Sequence, residues 1–424
     1  MTRDDISAIP KQQHFFKRFL RAALGRHRGP GLYLRKVYYW LAPRLGRYLP
    51  WHWRKHNILF FCNSPIMAPY LHQIWELLQH DSRLGFVVSL PQHEEWQGSI
   101  DYIRSIFPMR ALKKRWVCAF RWDLIILADH TSGKLLDGQR CPSLRIMHGT
   151  PGKRLNGEVY AFGQGAYDKM GRIRYARMFV SNHADRALGI SIDSAYENIL
   201  AVVGNLEHDK LLAAQQEREQ YRQQLGLHSQ KTAISIISTW GPHSLLRTIG
   251  EPLIDAAQQM PKHMTFMVCA HPHEFRQQAH GQRAWGSYLH SLKAKGFIVR
   301  GPADDWFPYV LASDIVITDH TALCLDAALL QRPVIFVPTP EDIIEPNGLI
   351  AQLRAIAPVL APDASDLAER LGQIPAHYPY EQLARVAQAI CPYPGQAGER
   401  MRAEIYDLLN LEPHSDPPRT HASI

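Results

Sequence analysis

The residues most capable of chemistry stand at the ends of short apolar runs. The first group is His148-Gly149-Thr150-Pro151-Gly152-Lys153-Arg154, directly after Leu144–Met147. Its glycines permit close backbone approach, Lys153 and Arg154 bring positive charge, and Thr150 brings a hydroxyl. An imidazole at His148 can take a proton from an attacking hydroxyl near neutral pH. The second group is His271-Pro272-His273, after Thr265–Ala270. There His271 can donate to a phosphate oxygen or a leaving group. The third is Thr318-Asp319-His320-Thr321-Ala322-Leu323-Cys324-Leu325-Asp326. The hydroxyls of Thr318 and Thr321, with the N–H groups of a following helix, suit an anion; Thr321 as a plain helix cap is the alternative. Asp326 can accept from a ribose or polyol hydroxyl. Trp240, in Ser238-Thr239-Trp240-Gly241-Pro242, can stack on a base or serve ordinary packing. Together these groups suit phosphate chemistry.

Such groups need a scaffold that brings strand ends together. Short apolar strands alternate with helical stretches at Asn57–Cys62, Phe86–Leu90, Trp122–Ala128, Leu144–Met147, Met178–Val180 and Leu200–Val203. A second series follows at Ala233–Ile237, Thr265–Ala270, Phe297–Arg300, Asp314–Thr318 and Pro333–Val337. Continuous apolar strands between helices predict parallel sheets covered on both faces, whose ligands sit beyond the strand carboxyl ends. Helices are expected at Ala68–Gln79, 209–230, Ser244–Gln259 and Leu323–Leu330. The fold class is therefore α/β, with two Rossmann-like doubly wound domains facing a cleft. Their expected bounds are 56–208, the acceptor side, and 209–412, the nucleotide-donor side. Residues 1–55 form a separate basic segment, and a tail at 413–424 reads as disordered.

The chain has 424 residues and a formal charge of +9. Residues 1–56 alone carry +11, so the rest is slightly acidic and a global polyanion-binding role is excluded. That basic segment is interleaved with Phe15, Phe16, Phe19, Leu20 and a run of Tyr and Trp. Its amphipathic spacing suits an anionic membrane surface, with packing on the first domain as the alternative. No nucleic-acid module is recognisable. No apolar run reaches the length of about 18 residues needed for a spanning helix, and no signal peptide is visible. The six cysteines are scattered without C-x-x-C spacing and read as buried thiols of a reducing cytoplasm. His271 and His273 lack local partners for a zinc set, so no metal and no cofactor are expected. No Walker loop or G-x-G-x-x-G follows a strand, which disfavours an NTPase or a standard dehydrogenase.

In order along the chain stand His148-Gly149-Thr150-Pro151 with Lys153, then Gly204 with Asp209-Lys210-Leu211, then His271-Pro272. Ser313-Asp314, Thr318-Asp319-His320-Thr321 with Asp326, and Gln331-Arg332-Pro333-Val334 follow. This set resembles the CDP-glycerol glycerophosphotransferase family, the teichoic-acid primases and polymerases of GT-B fold, over roughly residues 140–345. The resemblance implies transfer of a polyol phosphate from a CDP-activated donor to a hydroxyl of a lipid-linked or polymeric acceptor, releasing CMP. It implies His148 as base, His271 at the donor pyrophosphate, Thr321 on phosphate and Asp326 on the polyol or ribose. It also implies a cytoplasmic protein, peripheral on the membrane, serving cell-surface polymer synthesis. Three positions depart from the family pattern. His320-Thr321-Ala322 replaces tyrosine-serine-serine, and Asn205-Leu206-Glu207 replaces proline-arginine after the crossover glycine. The Arg-Asp that usually follows the threonine-tryptophan step is missing after Thr239-Trp240. A GT-B glycosyltransferase using a UDP- or GDP-sugar, or a non-catalytic membrane-associated binder of nucleotide or polymer, remains the alternative.

Overall fold

The computed structural model describes residues 55–91, 94, 98–117, 119–130, 141–147, 151–155, 157–228, 230–275, 285–302 and 304–412. The basic segment expected over 1–55, except its last residue, lies outside the described residues, as do the tail at 413–424 and His148-Gly149-Thr150.

Two parallel sheets form the molecule. The first contains β1 (His56–Phe61), β2 (Leu84–Leu90), β3 (Arg110–Lys113), β4 (Leu124–Leu127) and β5 (Ser143–Arg145). A small antiparallel pair follows, β6 (Arg154–Leu155) with β7 (Glu158–Val159). Then β8 (Arg177–Val180) and β9 (Leu200–Val202) complete the first sheet in the order β3-β2-β1-β4-β5-β8-β9. The second contains β10 (Thr232–Ser238), β11 (Met264–Ala270), β12 (Ile298–Val299), β13 (Ile315–Thr318) and β14 (Val334–Phe336). Its order is β12-β11-β10-β13-β14. In both sheets the chain starts in the middle, works to one edge and then crosses to the other side. That reversal is the topology that opens a crevice at the carboxyl ends of the strands.

The strands read as apolar runs because both faces are covered. Along β1, Ile58, Phe60 and the following Cys62 join one core, whereas Leu59 and Phe61 join the core on the opposite face. This is the two-residue period of a strand. β3 carries no continuous apolar run; it is a short edge strand with exposed Arg110 and Lys113, so the sequence pattern does not reveal it. The helix expected over Ser244–Gln259 is two helices, Leu245–Thr248 and Gly250–Gln258. Pro252 lacks an N–H and would crowd the carbonyl four residues back, so the helix restarts. The polar stretch at 209–230 likewise divides, into Leu206–Ala214 and Arg218–Gln224. Asn205 caps the first by accepting from Glu207 N at 2.9 Å.

The expected second domain, ending at 412, needs correction. Its last helix, Ala397–Leu409, belongs to the core of the first sheet. Ala397, Met401, Ile405, Tyr406 and Leu409 lie at helical spacing and join Ile58 and Phe60 in that core. The Tyr406 hydroxyl donates to Asp81 at 3.0 Å, and Arg177 pairs with Glu404 and Asp407 at 3.1 and 2.9 Å. Asp209 accepts from the N–H groups of Gly395 and Ala397 at 2.7 and 2.9 Å, tying the helix entry to the crossover. Gly204 has φ of +86°, and a Cβ there would sit 3.0 Å from that of Ala397. The crossover glycine is thus required twice, for its backbone and for the returning helix.

Ile405 is fully buried in the first core. Ile405→Ala is expected to cost about 2–5 kcal/mol in urea unfolding. A cost under about 0.5 kcal/mol, typical of a surface position, would remove the helix from that core.

Candidate active site

The site is built on one carboxylate. Asp319 follows β13 directly and is fully buried. Its Oδ2 accepts from Thr239 N at 2.9 Å and Leu245 N at 2.7 Å, and its Oδ1 from Thr321 N at 3.0 Å. One side chain therefore holds both ends of the loop after β10 and the turn after β13. Burial pushes the Asp319 carboxyl up, and the three amides and the charge of Lys153 pull it back.

A second carboxylate ties in the loop after β11. Glu274 is buried, pairs with Arg247 at 3.0 Å and accepts from Gly241 N at 3.3 Å. His271 N donates to Ser238 O at 3.0 Å. The Nδ1 of His271 accepts from His273 N at 3.1 Å. In the neutral ring the proton is then on Nε2, which makes that edge a donor. The rings of His271 and His273 meet edge to face at 4.7 Å between centroids. Trp240 lies over both, at 6.2 and 5.0 Å, and stays half exposed.

Lys153 comes from the first unit. Its Nζ donates to Thr239 Oγ1 at 3.0 Å, so the basic strand-end loop reaches the second sheet. Burial pulls the Lys153 ammonium down, opposed by Asp319. His320 lies nearby, its pKa driven down to about 3 by burial and by the charges of Lys153, His243 and Arg354. It is neutral across the physiological range, and its buried Nδ1 has no hydrogen-bond partner among the described residues. On the first unit's side, a small recess at the ends of β5, β8 and β9 is lined by Gln73, Ile146, Met147, Val180, Ser181 and Asn205. Gln73 there donates to Glu207.

The structure brings Lys153, Trp240, His271 and Thr321 to one set of loops. Two other sequence-predicted residues point elsewhere. Thr318 is fully buried and its hydroxyl donates to Ile237 O at 2.8 Å, across the sheet. Asp326 faces the crossover and pairs with His208 at 3.3 Å. Burial alone would lower the His208 pKa; Asp326, with Cys391 adjacent, outweighs it and holds the imidazole at about 9. Thr321 Oγ1 lies 3.5 Å from Leu323 N, at the entry to the helix Leu323–Leu329, too far for a strong cap. Sequence reasoning gave no role to Asp319, Glu274, Arg247 or His208. The available signal was position: Asp319 lies one residue and Glu274 four residues beyond a strand end. Cys62, Cys269, Cys324 and Cys391 are buried, Cys141 is half-buried, and none of these five forms a disulfide.

The strand order, the two facing sheets and the returning C-terminal helix define a GT-B-type architecture. The model of the CDP-glycerol:poly(glycerophosphate) glycerophosphotransferase family matches residues 68–406, and the chain belongs to that family of enzymes. Its fold is similar to that of the wall teichoic acid polymerase TagF, with a TM-score of 0.60, 16% identity, and coverage of 95% of this chain and 98% of that one. It is also similar in fold to a UDP-GlcNAc 2-epimerase from Neisseria meningitidis, with a TM-score of 0.54, 15% identity, and coverage of 84% and 99%. Among curated proteins, no sequence matches this chain closely enough to count as a relative. No helix among the described residues is long and apolar enough to cross a membrane.

Asp319→Asn puts an NH2 group against an amide donor. It is expected to lower stability by about 1–3 kcal/mol. Transferase activity should fall further than the folded fraction at assay temperature accounts for. Unchanged turnover would show that the loops need no common anchor. The His208–Asp326 pair sets a pH signature. The His208 pKa is raised on folding, so its contribution is full below about 6.5 and lost as pH rises through about 9. The stability difference between wild type and His208→Gln should shrink over that interval in urea titrations. A constant difference would sink the ion-pair assignment.

Proposed function

We propose that the chain transfers a glycerol phosphate-like polyol phosphate from a CDP-activated donor to a hydroxyl of a lipid-linked or polysaccharide acceptor. CMP is released, and the product is a cell-surface polymer of teichoic acid type. The observation that carries this reading is the Lys153–Thr239 contact above the Asp319-anchored loops, in a chain of this family. A lysine delivered from one sheet to the strand-end loops of the other suits a pyrophosphate held between them.

In this reading the acceptor oxygen attacks the phosphorus that bears the polyol. His148 takes the hydroxyl proton as the new P–O bond forms. The bond to the bridging oxygen breaks, and its electron pair leaves with CMP. Lys153 and the Nε2–H of His271 neutralise the charge that collects on the leaving phosphate. The Thr321 hydroxyl binds a phosphate oxygen, and Thr318 supports that turn from below. Trp240 offers its exposed face to the cytosine ring, in keeping with its 52% exposure. Asp326, paired with His208, orders the crossover where the two units meet and so acts at a distance from the donor. The basic aromatic N-terminus places the protein on the anionic inner face of the membrane, where a lipid-linked acceptor resides.

Nucleotide release from CDP-glycerol, with UDP- and GDP-sugars as controls and acceptor lipid present, is the direct test. CMP should appear from the CDP donor. His148→Ala should lower turnover by about 100-fold or more with unchanged melting. Release from a UDP- or GDP-sugar in its place would reassign the enzyme as a glycosyltransferase. Release from none would point to a binding protein.

A further inference from the structure

Beyond Lys153 itself, the segment that carries it is fastened to the second unit at three points. Lys153 and Ile344 form an antiparallel backbone bridge. Glu345 N donates to Gly152 O at 3.1 Å. Arg154 Nε donates to Glu345 Oε2 at 2.9 Å. Glu345 is 2% exposed, and its other oxygen accepts from Asn347 N at 3.2 Å. The approach is close: a Cβ at Gly152 would lie 2.5 Å from Ile350 Cδ1. Glu345 has no cationic partner among the described residues apart from Arg154, and a buried carboxylate stripped of its partner is strongly disfavoured.

We propose that Arg154 and Glu345 are positioning residues that latch the strand-end loop of the first unit onto the second and hold the Lys153 ammonium at Thr239. Neither touches the reacting atoms. Arg154 is the residue next to Lys153, and its side chain is held by Glu345. The Lys153 Nζ meets Thr239. The two cations therefore divide the work. Arg154 satisfies a buried carboxylate of the second unit, and Lys153 is left at the donor loops. Without the latch, the loop would have to be ordered anew with each donor molecule, and that ordering would be drawn from the donor's binding energy. The effect on catalysis rests on the reading of Lys153 as a donor-phosphate residue; the latch itself does not.

The test uses the full chain and two readouts. Labelling of Lys153 by an amine-reactive acylating reagent, followed by mass spectrometry, reports the latch without reference to any substrate. Arg154→Gln, at a half-exposed side chain, is expected to raise the Lys153 labelling rate by about tenfold. Arg154→Lys should restore most of the protection, since the charge on Glu345 is again met. The exchange of charges, Arg154→Glu with Glu345→Arg, serves as the second variant should Arg154→Gln melt early. With CDP-glycerol as probe, KM should rise by about tenfold in Arg154→Gln while kcat changes less. Labelling equal to wild type in Arg154→Gln, or labelling in the charge exchange as fast as that expected for Arg154→Gln, would overturn the latch. Faster labelling with an unchanged KM would overturn its positioning role. If wild type neither binds nor consumes CDP-glycerol, the functional reading falls, and the labelling rates still decide whether the latch exists.

Discussion

The carboxylate of Asp319 is the constraint on which the strand-end loops of the second unit depend. Strand ends in a parallel sheet present unpaired backbone groups and would otherwise leave their loops loosely placed. Here the N–H groups of Thr239, Leu245 and Thr321 converge on one side chain. Three donors on one buried carboxylate fix two loops relative to each other, and Glu274 extends the same device to the loop after β11. The exposed Trp240 and the edge of His271 owe their directions to these buried anchors. The charged anchors are buried below, and Trp240 is left half exposed above them.

A similar economy governs the joint between the two units. Gly204, Asp209 and His208 lie within six residues of the crossover and serve three different partners. Gly204 lets the helix Ala397–Leu409 approach, Asp209 caps the turn that leads into it, and His208 pairs with Asp326 of the second unit. The chain thus leaves the first unit, builds the second and returns to complete the core it left. The first unit does not have its full core until the last helix is in place.

Much of this was legible in the sequence. Apolar runs at β1, β10, β11 and β13 are continuous because both faces are buried, so their positions are visible without alignment. Strand-end polar residues were equally visible, since a sheet of this kind places function there. What the sequence hides is pairing across long separations. Nothing near Asp319 announces that its partners are 74 and 80 residues earlier, at Leu245 and Thr239. The last helix shows the same limit: its apolar stripe reveals a buried face, and β1, more than 300 residues away, supplies the surface it covers. β3 was hidden for the opposite reason, because an edge strand with exposed cations looks like a polar loop.

The placement of charge also explains why Lys153 must come from the opposite unit. Asp319 anchors the loops after β10 and β13, yet a buried carboxylate there would repel a phosphate. A cation on the same loops would be drawn to Asp319 and kept there. Lys153, carried by the other unit and held at Thr239 Oγ1, offsets the Asp319 charge. His320 fits the same logic. Its imidazole is kept neutral by burial first, and then by the charges of Lys153, His243 and Arg354. A neutral ring there adds no competing charge.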